Sequence, residues 1–282
     1  MSACRLGVIG WPVAHSRSPP MQNAALRAAG LAGWRYQLLP IPEALLAETV
    51  PALPALGFRG ANVTIPHKQA ALYLADHASE QAHAIGAANT LLFDRERIYA
   101  DNTDATALIE ALPFAAAGRT ALVLGAGGTA RAALWALLDA GAPEVRVWNR
   151  TAERARQLCA QIGGTPLAAV PSARTGPSSS PRGGRGAGPE RDGRGEVDLV
   201  VNCTSAASLA QLPIVPDDLV GVGCVVDFVY RSGETELVAA ARERSIPVVD
   251  GLSLLVGQGA RSFELFTGLP APVQVMREAV SG

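Results

Sequence analysis

The chain has 282 residues, of which 49% are hydrophobic and 17% are charged, and its formal net charge is −1 at pH 7. A chain of this length and hydrophobic content can fill about two globular domains of roughly 150 residues each. Its balanced charge gives no long-range field that attracts nucleic acid or an anionic membrane surface, so the expected partner is a small molecule recognised locally.

The cysteines and the apolar runs indicate a soluble protein in a reducing, cytoplasmic setting. The four cysteines show no CxxC spacing and the four histidines form no HExxH motif, so neither a disulfide framework nor a metal site is expected. No apolar run approaches the roughly 18 residues of a membrane helix, and the N-terminus lacks the pattern of a signal peptide. We therefore expect a cytoplasmic protein, and both a monomer and a homodimer stay open.

Short apolar runs alternate with helical patterns in the first third of the chain. Helices are predicted at 18–30, 43–56 and 67–85, between the strand-like runs LGVIG, RYQLLPI, ANVTI, NTLLF and RIYADN. This alternation is typical of βαβ units. It predicts an α/β domain over residues 1–104 with a mainly parallel sheet.

A second alternating series begins at TALVLGAGG and predicts a doubly wound, Rossmann-like domain over residues 105–251. Its further strands are EVRVW, VDLVV, GCVVDF and IPVVD, with helices ending near 139 and spanning 151–162 and 234–244. Two more helical patterns, within residues 252–282, have no strand after them. They can pack back onto either domain. We assign them to the first domain, which they reach by crossing the cleft expected between the two domains.

Polar side chains follow several strands of the first domain. Ser16 and Ser18 come after LGVIG in the segment HSRSPP, just before a predicted helix. A helix N-cap explains one serine and does not explain two, whereas two neutral hydroxyls at a helix start suit a carboxylate ligand. Ser18, directly before Pro19, can also cap the helix.

Three further motifs of this domain, NVTIPHK, GAANT and DNTD, carry candidate ligand-binding groups at strand ends. Parallel strands place their carboxyl ends along one sheet edge, where open α/β folds bind ligands. Each residue also has an ordinary explanation: asparagines as turn formers, the threonine as a strand residue, the lysine as a surface charge and the aspartate as an N-cap. Their number favours a binding site for a hydroxyl-rich molecule, and the candidates are Asn62, Thr64, Lys68, Asn89 and Asp104.

The glycine-rich turn at Gly125, Gly127 and Gly128 follows an apolar strand and opens a helix of small residues. Such a turn lets backbone N–H groups approach a pyrophosphate at the positive end of a helix. Ala130 occupies the third glycine position of the usual GxGxxG pattern. Taken alone, a tight strand-to-helix turn also uses glycine for purely conformational reasons.

The end of the next strand indicates which dinucleotide binds. An NAD site usually offers an acidic side chain there to the ribose 2′-hydroxyl, whereas this chain has Asn149, Arg150 and Thr151. The guanidinium of Arg150, together with that of Arg154 four residues later, suits the 2′-phosphate of NADP. In the alternative interpretation, Thr151 is an ordinary N-cap and the arginines are solvated.

Residues 171–196 are rich in Pro, Gly, Ser and Arg and nearly free of apolar side chains, which predicts a disordered insertion. An arginine-rich nucleic-acid contact is disfavoured because Glu190, Asp192 and Glu196 dilute the charge and no aromatic residues interleave. A third interpretation is a lid that brings Arg174 or Arg182 to the phosphates of NADP.

The motifs HSRSP, NVTIPHK, GAANT, DNTD, GAGGTAR, NRT and DGLSLLVGQGA occur in the order and spacing of the shikimate dehydrogenase family, which this sequence resembles along nearly its whole length. The resemblance implies NADP-dependent reversible reduction of 3-dehydroshikimate to shikimate, with Lys68 and Asp104 as the catalytic pair. It implies that Ser16 and Ser18 hold the substrate carboxylate. The implied contacts to the rest of the substrate are Asn62, Thr64, Asn89, Asp104, Tyr230 and Gln258. The implied cofactor residues are Gly125, Ala126, Gly127, Gly128, Thr129, Ala130, Asn149, Arg150, Thr151, Arg154, Thr204, Phe228, Gly251 and Leu254.

Some positions depart from the family pattern. Ala105, Ala107 and Ala207 replace usual glycines, and Ser253 with Leu254 replaces a Gly-Met pair. None of these removes a catalytic residue, although turnover can be reduced. Two alternatives stay open: a broad quinate/shikimate dehydrogenase that also uses NAD, against which Ser18 and the NRT run argue, and a catalytically idle relative, against which Lys68 and Asp104 argue.

Overall fold

The computed structural model describes residues 4–95, 97–170, 197–231 and 233–281, which form two six-stranded sheets flanked by helices. The interpretation of residues 171–196 as a disordered insertion, and the lid alternative, lie outside these residues.

The first sheet has the strand order β2-β1-β3-β5-β6-β4. Its elements, in chain order, are β1 (Cys4–Gly10), α1 (Ser18–Ala28), β2 (Trp34–Pro40), α2 (Glu43–Ala52), β3 (Phe58–Val63), α3 (Lys68–Tyr73), β4 (His77–Ala78), α4 (Glu80–Ile85), β5 (Thr90–Asp94) and β6 (Arg97–Asp101). Helix α5 (Thr103–Ala111) follows and leads to the second sheet.

This sheet is mixed. Strand β1 is parallel to β2 and β3, and β4 is parallel to β6, but β5 is antiparallel to both β3 and β6. Only residues 95 and 96 separate β5 from β6, and a parallel crossover needs a dozen residues or more. The expectation of a mainly parallel sheet therefore holds for the β1–β3 half, and the β5–β6 hairpin is the exception.

The single helix predicted over 67–85 is wrong, because α3 and α4 are separate helices with β4 between them. The backbone N–H of Ile98 donates to the Asp76 carboxylate at 2.7 Å, which holds this segment beside β6. The Ser79 hydroxyl accepts from the N–H of Ala82 and caps a new helix. A local cap and a long-range strand pairing thus override the helical pattern.

The second sheet has the order β12-β11-β10-β7-β8-β9, and all its strand pairs are parallel. This is the predicted doubly wound arrangement, with one additional strand, β9, that the sequence pattern did not indicate. Its elements are β7 (Thr120–Leu124), α6 (Gly128–Asp139), β8 (Glu144–Trp148), α7 (Ala152–Ile162), β9 (Thr165–Leu167), β10 (Leu199–Asn202), β11 (Cys224–Asp227), α8 (Glu236–Glu243) and β12 (Val248–Val249).

The last two helices, α9 (Gly251–Thr267) and α10 (Val273–Ser281), return across the cleft as expected. Leu254, in the first turn of α9, belongs to the core of the second sheet, whereas Phe263 and Phe266 belong to the core around β1. A Cβ on Gly60 would lie 2.5 Å from the Phe266 ring, so only glycine at this position of β3 allows α9 to lie so close. Helix α9 therefore joins the two halves of the molecule.

Within the described ranges, no helix combines the length and the apolar character that crossing a membrane requires.

Candidate active site

Two adjoining cavities of about 460 Å³ and about 1030 Å³ lie at the carboxyl ends of the strands, between the two sheets. Both are lined by Ile65, Lys68, Thr129 and the segment 203–205, so they form one continuous cleft. The smaller cavity brings together every predicted substrate residue: Ser16, Ser18, Asn62, Thr64, Lys68, Asn89, Asp104, Tyr230 and Gln258.

Lys68 and Asp104 form a buried ion pair at the junction of the two cavities. Lys68 is the first residue of α3, Asp104 lies in the first turn of α5, and the distance from Nζ to Oδ2 is 2.5 Å. Their side chains are 10% and 6% exposed. The ammonium group also donates to the Thr129 hydroxyl at 3.0 Å, on the helix that opens with the glycine turn. The pair thus contacts both halves of the cleft.

Asn89 orients the aspartate. Its Nδ2 donates to Asp104 Oδ1 at 2.8 Å, and its Oδ1 accepts from the N–H of Thr103 at 2.8 Å. The carboxylate is therefore held through one oxygen by Asn89 and through the other by Lys68. A carboxylate fixed in this way keeps the lysine ammonium in one position.

Asn62 is largely engaged within the protein. Its Oδ1 accepts from the Tyr36 hydroxyl at 2.8 Å, and its Nδ2 lies within hydrogen-bond distance of the Thr90 and Ser262 hydroxyls. Burial raises the pKa of Tyr36 well above its usual range, so this hydroxyl stays protonated and donates. A ligand can reach Asn62 only through the second lone pair of Oδ1.

The structure rules out several of the purely structural roles that the sequence left open for the candidate residues. Asp104 is not an N-cap, because the cap of α5 is Asn102, whose Oδ1 accepts from the N–H of Asp104. Lys68 is not a surface charge, since the residue is 8% exposed. Ser18 is the first helical residue and the N-cap position belongs to Arg17, with no capping hydrogen bond from a side chain. The expectation that Ser18 caps α1 is therefore wrong, and Ser18 is instead a residue of the smaller cavity.

The smaller cavity is also lined by Ser16, Ser18, Tyr230 and Gln258. The backbone N–H of Ser18 donates to the Ser16 hydroxyl at 3.3 Å, and both serines line the smaller cavity. Burial raises the pKa of Tyr230, and its hydrogen bond with Ser16 partly opposes this. One N–H of the Gln258 amide donates to the carbonyl of Leu255 in its own helix, which leaves its second N–H and its Oε1 to meet a ligand.

The larger cavity contains the glycine turn. Gly125 has φ +116°, a backbone conformation that favours glycine. A Cβ on Gly127 would project into open space, so no protein contact requires glycine there, whereas a closely approaching pyrophosphate would. A Cβ on Gly128 would lie 2.7 Å from Lys68 Cβ, so this glycine lets the start of α6 approach the catalytic lysine.

The segment after β8 suits the 2′-phosphate of NADP. Asn149, Arg150, Thr151 and Arg154 all line the larger cavity, and neither arginine forms an ion pair with any described residue. Thr151 occupies the N-cap position of α7, but its side chain makes no capping hydrogen bond. Two arginines without an ion-pair partner among the described residues, beside the Thr151 hydroxyl, fit a phosphate group.

The remaining cofactor candidates divide between the two cavities. Ala126, Thr129 and Thr204 line the larger one, and Thr129 and Thr204 also line the smaller one. Phe228, Gly251 and Leu254 line only the smaller cavity. Ala130 lines neither, because it is fully buried in the core of the second sheet.

Sequence reasoning missed several residues that shape this cleft. Tyr36, Thr90 and Ser262 are buried partners of Asn62 and carry no motif of their own. Cys203 lines both cavities, and burial together with the negative charge of Asp104 raises the pKa of its thiol. Only the position of Cys203 after strand VDLVV signals a cleft residue.

A polar cavity with a buried lysine–aspartate pair, joined to a second cavity with a glycine turn and two arginines, defines a dinucleotide-dependent oxidoreductase of the two-sheet α/β class. Comparisons with known proteins specify the family. Residues 8–91 match the model of the shikimate dehydrogenase substrate binding domain, residues 109–174 match shikimate / quinate 5-dehydrogenase, and residues 251–280 match the shikimate 5′-dehydrogenase C-terminal domain.

Individual relatives agree with the family models. The shikimate dehydrogenase (NADP(+)) of Nitrobacter hamburgensis is 43% identical over 272 residues, covering 93% of this chain and 87% of that protein. That of Moorella thermoacetica is 39% identical, with coverage of 96% and 90%. The crystal structure of shikimate 5-dehydrogenase from Thermus thermophilus in complex with NADP(H) and shikimate has a TM-score of 0.81 at 37% identity, covering 98% of each chain. The chain belongs to the shikimate dehydrogenase family.

Proposed function

We propose that this protein catalyses the NADPH-dependent, reversible reduction of 3-dehydroshikimate to shikimate, a step toward chorismate and the aromatic amino acids. The observation that carries the proposal is the position of the Lys68–Asp104 pair, which lies where the polar cavity meets the cavity of the glycine turn. A carbonyl in the polar cavity would lie beside both a proton donor and the source of hydride.

When bound, NADPH would supply the hydride for the carbonyl carbon, and the residues of the site would have to stabilise the negative charge that develops on the carbonyl oxygen. The Lys68 ammonium stabilises that charge and gives its proton to the oxygen. Asp104, held by Asn89, keeps the ammonium aimed at the reacting oxygen. In the oxidation of shikimate the same lysine, unprotonated, accepts the hydroxyl proton.

The other cavity residues are proposed to recognise the substrate. Ser16 and Ser18 donate to its carboxylate, and the remaining residues meet the ring hydroxyls with short donors and acceptors. Asn62 offers one lone pair of Oδ1, because its other polar groups are engaged, and Gln258 offers Oε1 and one N–H of its amide. The members of this ring-binding set are Asn62, Thr64, Asn89, Asp104, Tyr230 and Gln258.

NADP is proposed to bind along the larger cavity. The turn Gly125–Gly128, with Thr129 and the backbone of Ala130, would hold the pyrophosphate at the start of α6. Asn149, Arg150, Thr151 and Arg154 would hold the 2′-phosphate. Thr204, which lines both cavities, would surround the nicotinamide together with three residues of the smaller cavity, Phe228, Gly251 and Leu254.

We also propose a division of labour along the chain. Residues 1–104 with the returning helices of 252–282 bind the substrate, and residues 105–251 bind NADP. The protein is proposed to work in the cytoplasm as a monomer or homodimer, without nucleic-acid or membrane partners. The free thiols of Cys4, Cys159, Cys203 and Cys224 suit a reducing compartment.

The test is the initial rate of change in the absorbance of reduced nicotinamide, with shikimate and with quinate, each paired with NADP and with NAD. The proposal expects the highest kcat/KM for shikimate with NADP. Comparable values for quinate or for NAD would favour the broad-specificity alternative. No turnover, with shikimate binding retained in calorimetry, would favour an idle relative.

Arg150→Ala is expected to raise KM for NADP far more than KM for NAD. A charge-assisted contact to phosphate contributes about 1.5 to 3 kcal/mol, which corresponds to a roughly ten- to hundredfold change in KM. Steady-state kinetics with both cofactors measure it. The matched control is Arg156→Ala in the helix that follows, α7, because Arg156 pairs with Glu153 at 2.8 Å and lines neither cavity. Equal effects of Arg150→Ala on both cofactors would show that Arg150 does not contact the 2′-phosphate.

A further inference from the structure

Arg131 is a buried cation that connects the two halves of the molecule. It lies in α6, one turn after the glycine turn, and the residue is 8% exposed. Its Nε donates to the carbonyl of Ile85 at 2.7 Å, at the end of α4 in the first half. Its Nη1 donates to Gln161 Oε1 at 2.7 Å, at the end of α7 in the second half.

The partners of Arg131 are all neutral. Within the described part of the chain, no carboxylate forms an ion pair with its guanidinium. Burial accordingly lowers the pKa of Arg131. Burying a charge without a counter-ion costs folding free energy. Stability alone therefore does not explain an arginine at this position.

Gly86 shows how closely the guanidinium contacts the first half. A Cβ on Gly86 would lie 2.4 Å from Arg131 Nη2, and its three nearest neighbours would all be guanidinium atoms. Gly86 has φ +71° and ends α4. The chain therefore has glycine here both for the backbone conformation and for the room that Arg131 occupies.

The segment 86–89, which begins at this contact, holds the Lys68–Asp104 pair in place. The N–H of Ala88 donates to the carbonyl of Lys68 at 2.8 Å. The carbonyl of Ala87 accepts from Asn102, the cap of the helix that carries Asp104, and Asn89 holds the Asp104 carboxylate. A shift of this segment would therefore move both members of the pair.

We propose that Arg131 is a positioning residue that fastens segment 86–89, and with it the Lys68–Asp104 pair, to the helix bordering the cofactor cavity. The backbone of Arg131 belongs to α6, and its guanidinium donates to the end of α4. Arg131 therefore fixes the distance between the Lys68–Asp104 pair and the cofactor cavity. The inference rests on the proposed function for its kinetic consequence, but not for the contact itself.

A thermal-unfolding cycle tests the contact without any substrate. The variants are Gly86→Ala, Arg131→Ala and the double variant, with Gly30→Ala as the matched control, because Gly30 has φ +73° and open space around its Cβ position. Gly86→Ala is expected to lower Tm more than Gly30→Ala does. In the Arg131→Ala background, Gly86→Ala should lower Tm by no more than Gly30→Ala does. Equal losses in Tm for the two glycines, or an excess that survives in the double variant, would overturn the contact.

Kinetics of Arg131→Lys then test the positioning role, since lysine keeps the charge but cannot reach both Ile85 and Gln161. Misplacement of reacting groups by about 1 Å costs up to about a hundredfold in rate, so kcat is expected to fall roughly ten- to hundredfold. The KM values for shikimate and NADP should stay within a few-fold of wild type. The deuterium isotope effect on kcat, measured with NADPH labelled at the transferred position, should increase.

The outcomes are distinguishable. A lower Tm with kcat and the isotope effect unchanged would show a purely structural role, and a raised KM for NADP with kcat unchanged would show a direct phosphate contact; either overturns the proposal. If the wild-type protein does not turn over shikimate, the proposed function fails, and the unfolding cycle still decides whether Arg131 and Gly86 form the tether.

Discussion

Lys68→Ala is expected to abolish nearly all turnover while the dissociation constant for shikimate stays within a few-fold of wild type. General acid catalysis contributes about 10²- to 10⁴-fold, and the lysine acts mainly on charge that appears on the carbonyl oxygen in the transition state. The other residues around the small cavity remain in place to hold the substrate. Steady-state kinetics measure the loss of kcat, and calorimetry measures the dissociation constant for shikimate.

The matched control is Arg119→Ala, which removes the cation of another ion pair. Arg119 contacts Asp198 at 3.2 Å, but both side chains are partly exposed and neither residue lines the cleft. A half-exposed pair contributes about 0 to 1 kcal/mol, so this variant should keep its stability and kcat. A Lys68→Ala variant that retains most of its kcat would remove Lys68 from the proposed mechanism.

The parts of the fold that follow from local patterns could be predicted from the sequence. Parallel strands buried on both faces appear as apolar runs, and the glycine turn after β7 has the composition that its backbone requires, with φ +116° at Gly125. The break between α3 and α4 could not be predicted in this way. It depends on Asp76, which accepts from Ile98 across 22 residues of sequence.

The same distinction applies to the site. Several residues that line the cavity, such as Asn62, Asn89 and Asp104, stand in polar motifs after strands, so local patterns predict them. Tyr230 and Gln258 carry no such pattern and are implied only by the resemblance to the family. The residues that orient the cavity residues could not be predicted in this way, because their role depends on distant contacts: Ser262 meets Asn62 across 200 residues, and Arg131 meets Ile85 across 46. A buried serine in an amphipathic helix has no local signal that separates it from an ordinary core position.

Asp104→Asn is expected to cost both activity and stability, because no orientation of the new carboxamide satisfies both of its neighbours. One oxygen of the aspartate accepts from Lys68 and the other accepts from Asn89. In asparagine one of these positions becomes an NH₂ group, which then faces either the ammonium or the amide NH₂ of Asn89, donor against donor. The lysine also loses its counter-ion inside the protein.

Breaking a buried ion pair in this way typically destabilises a protein by about 3 to 5 kcal/mol, and we expect a loss of that size in the free energy of unfolding measured by urea denaturation. The kcat should fall about as far as in Lys68→Ala, because an unheld ammonium is no longer aimed at the carbonyl oxygen. Since the conflict arises from Lys68, Asp104→Asn should cost less in a Lys68→Met background, where the carboxamide oxygen can turn to Asn89 freely. Additive losses of unfolding free energy in the double variant would mean that the two side chains do not act as a pair.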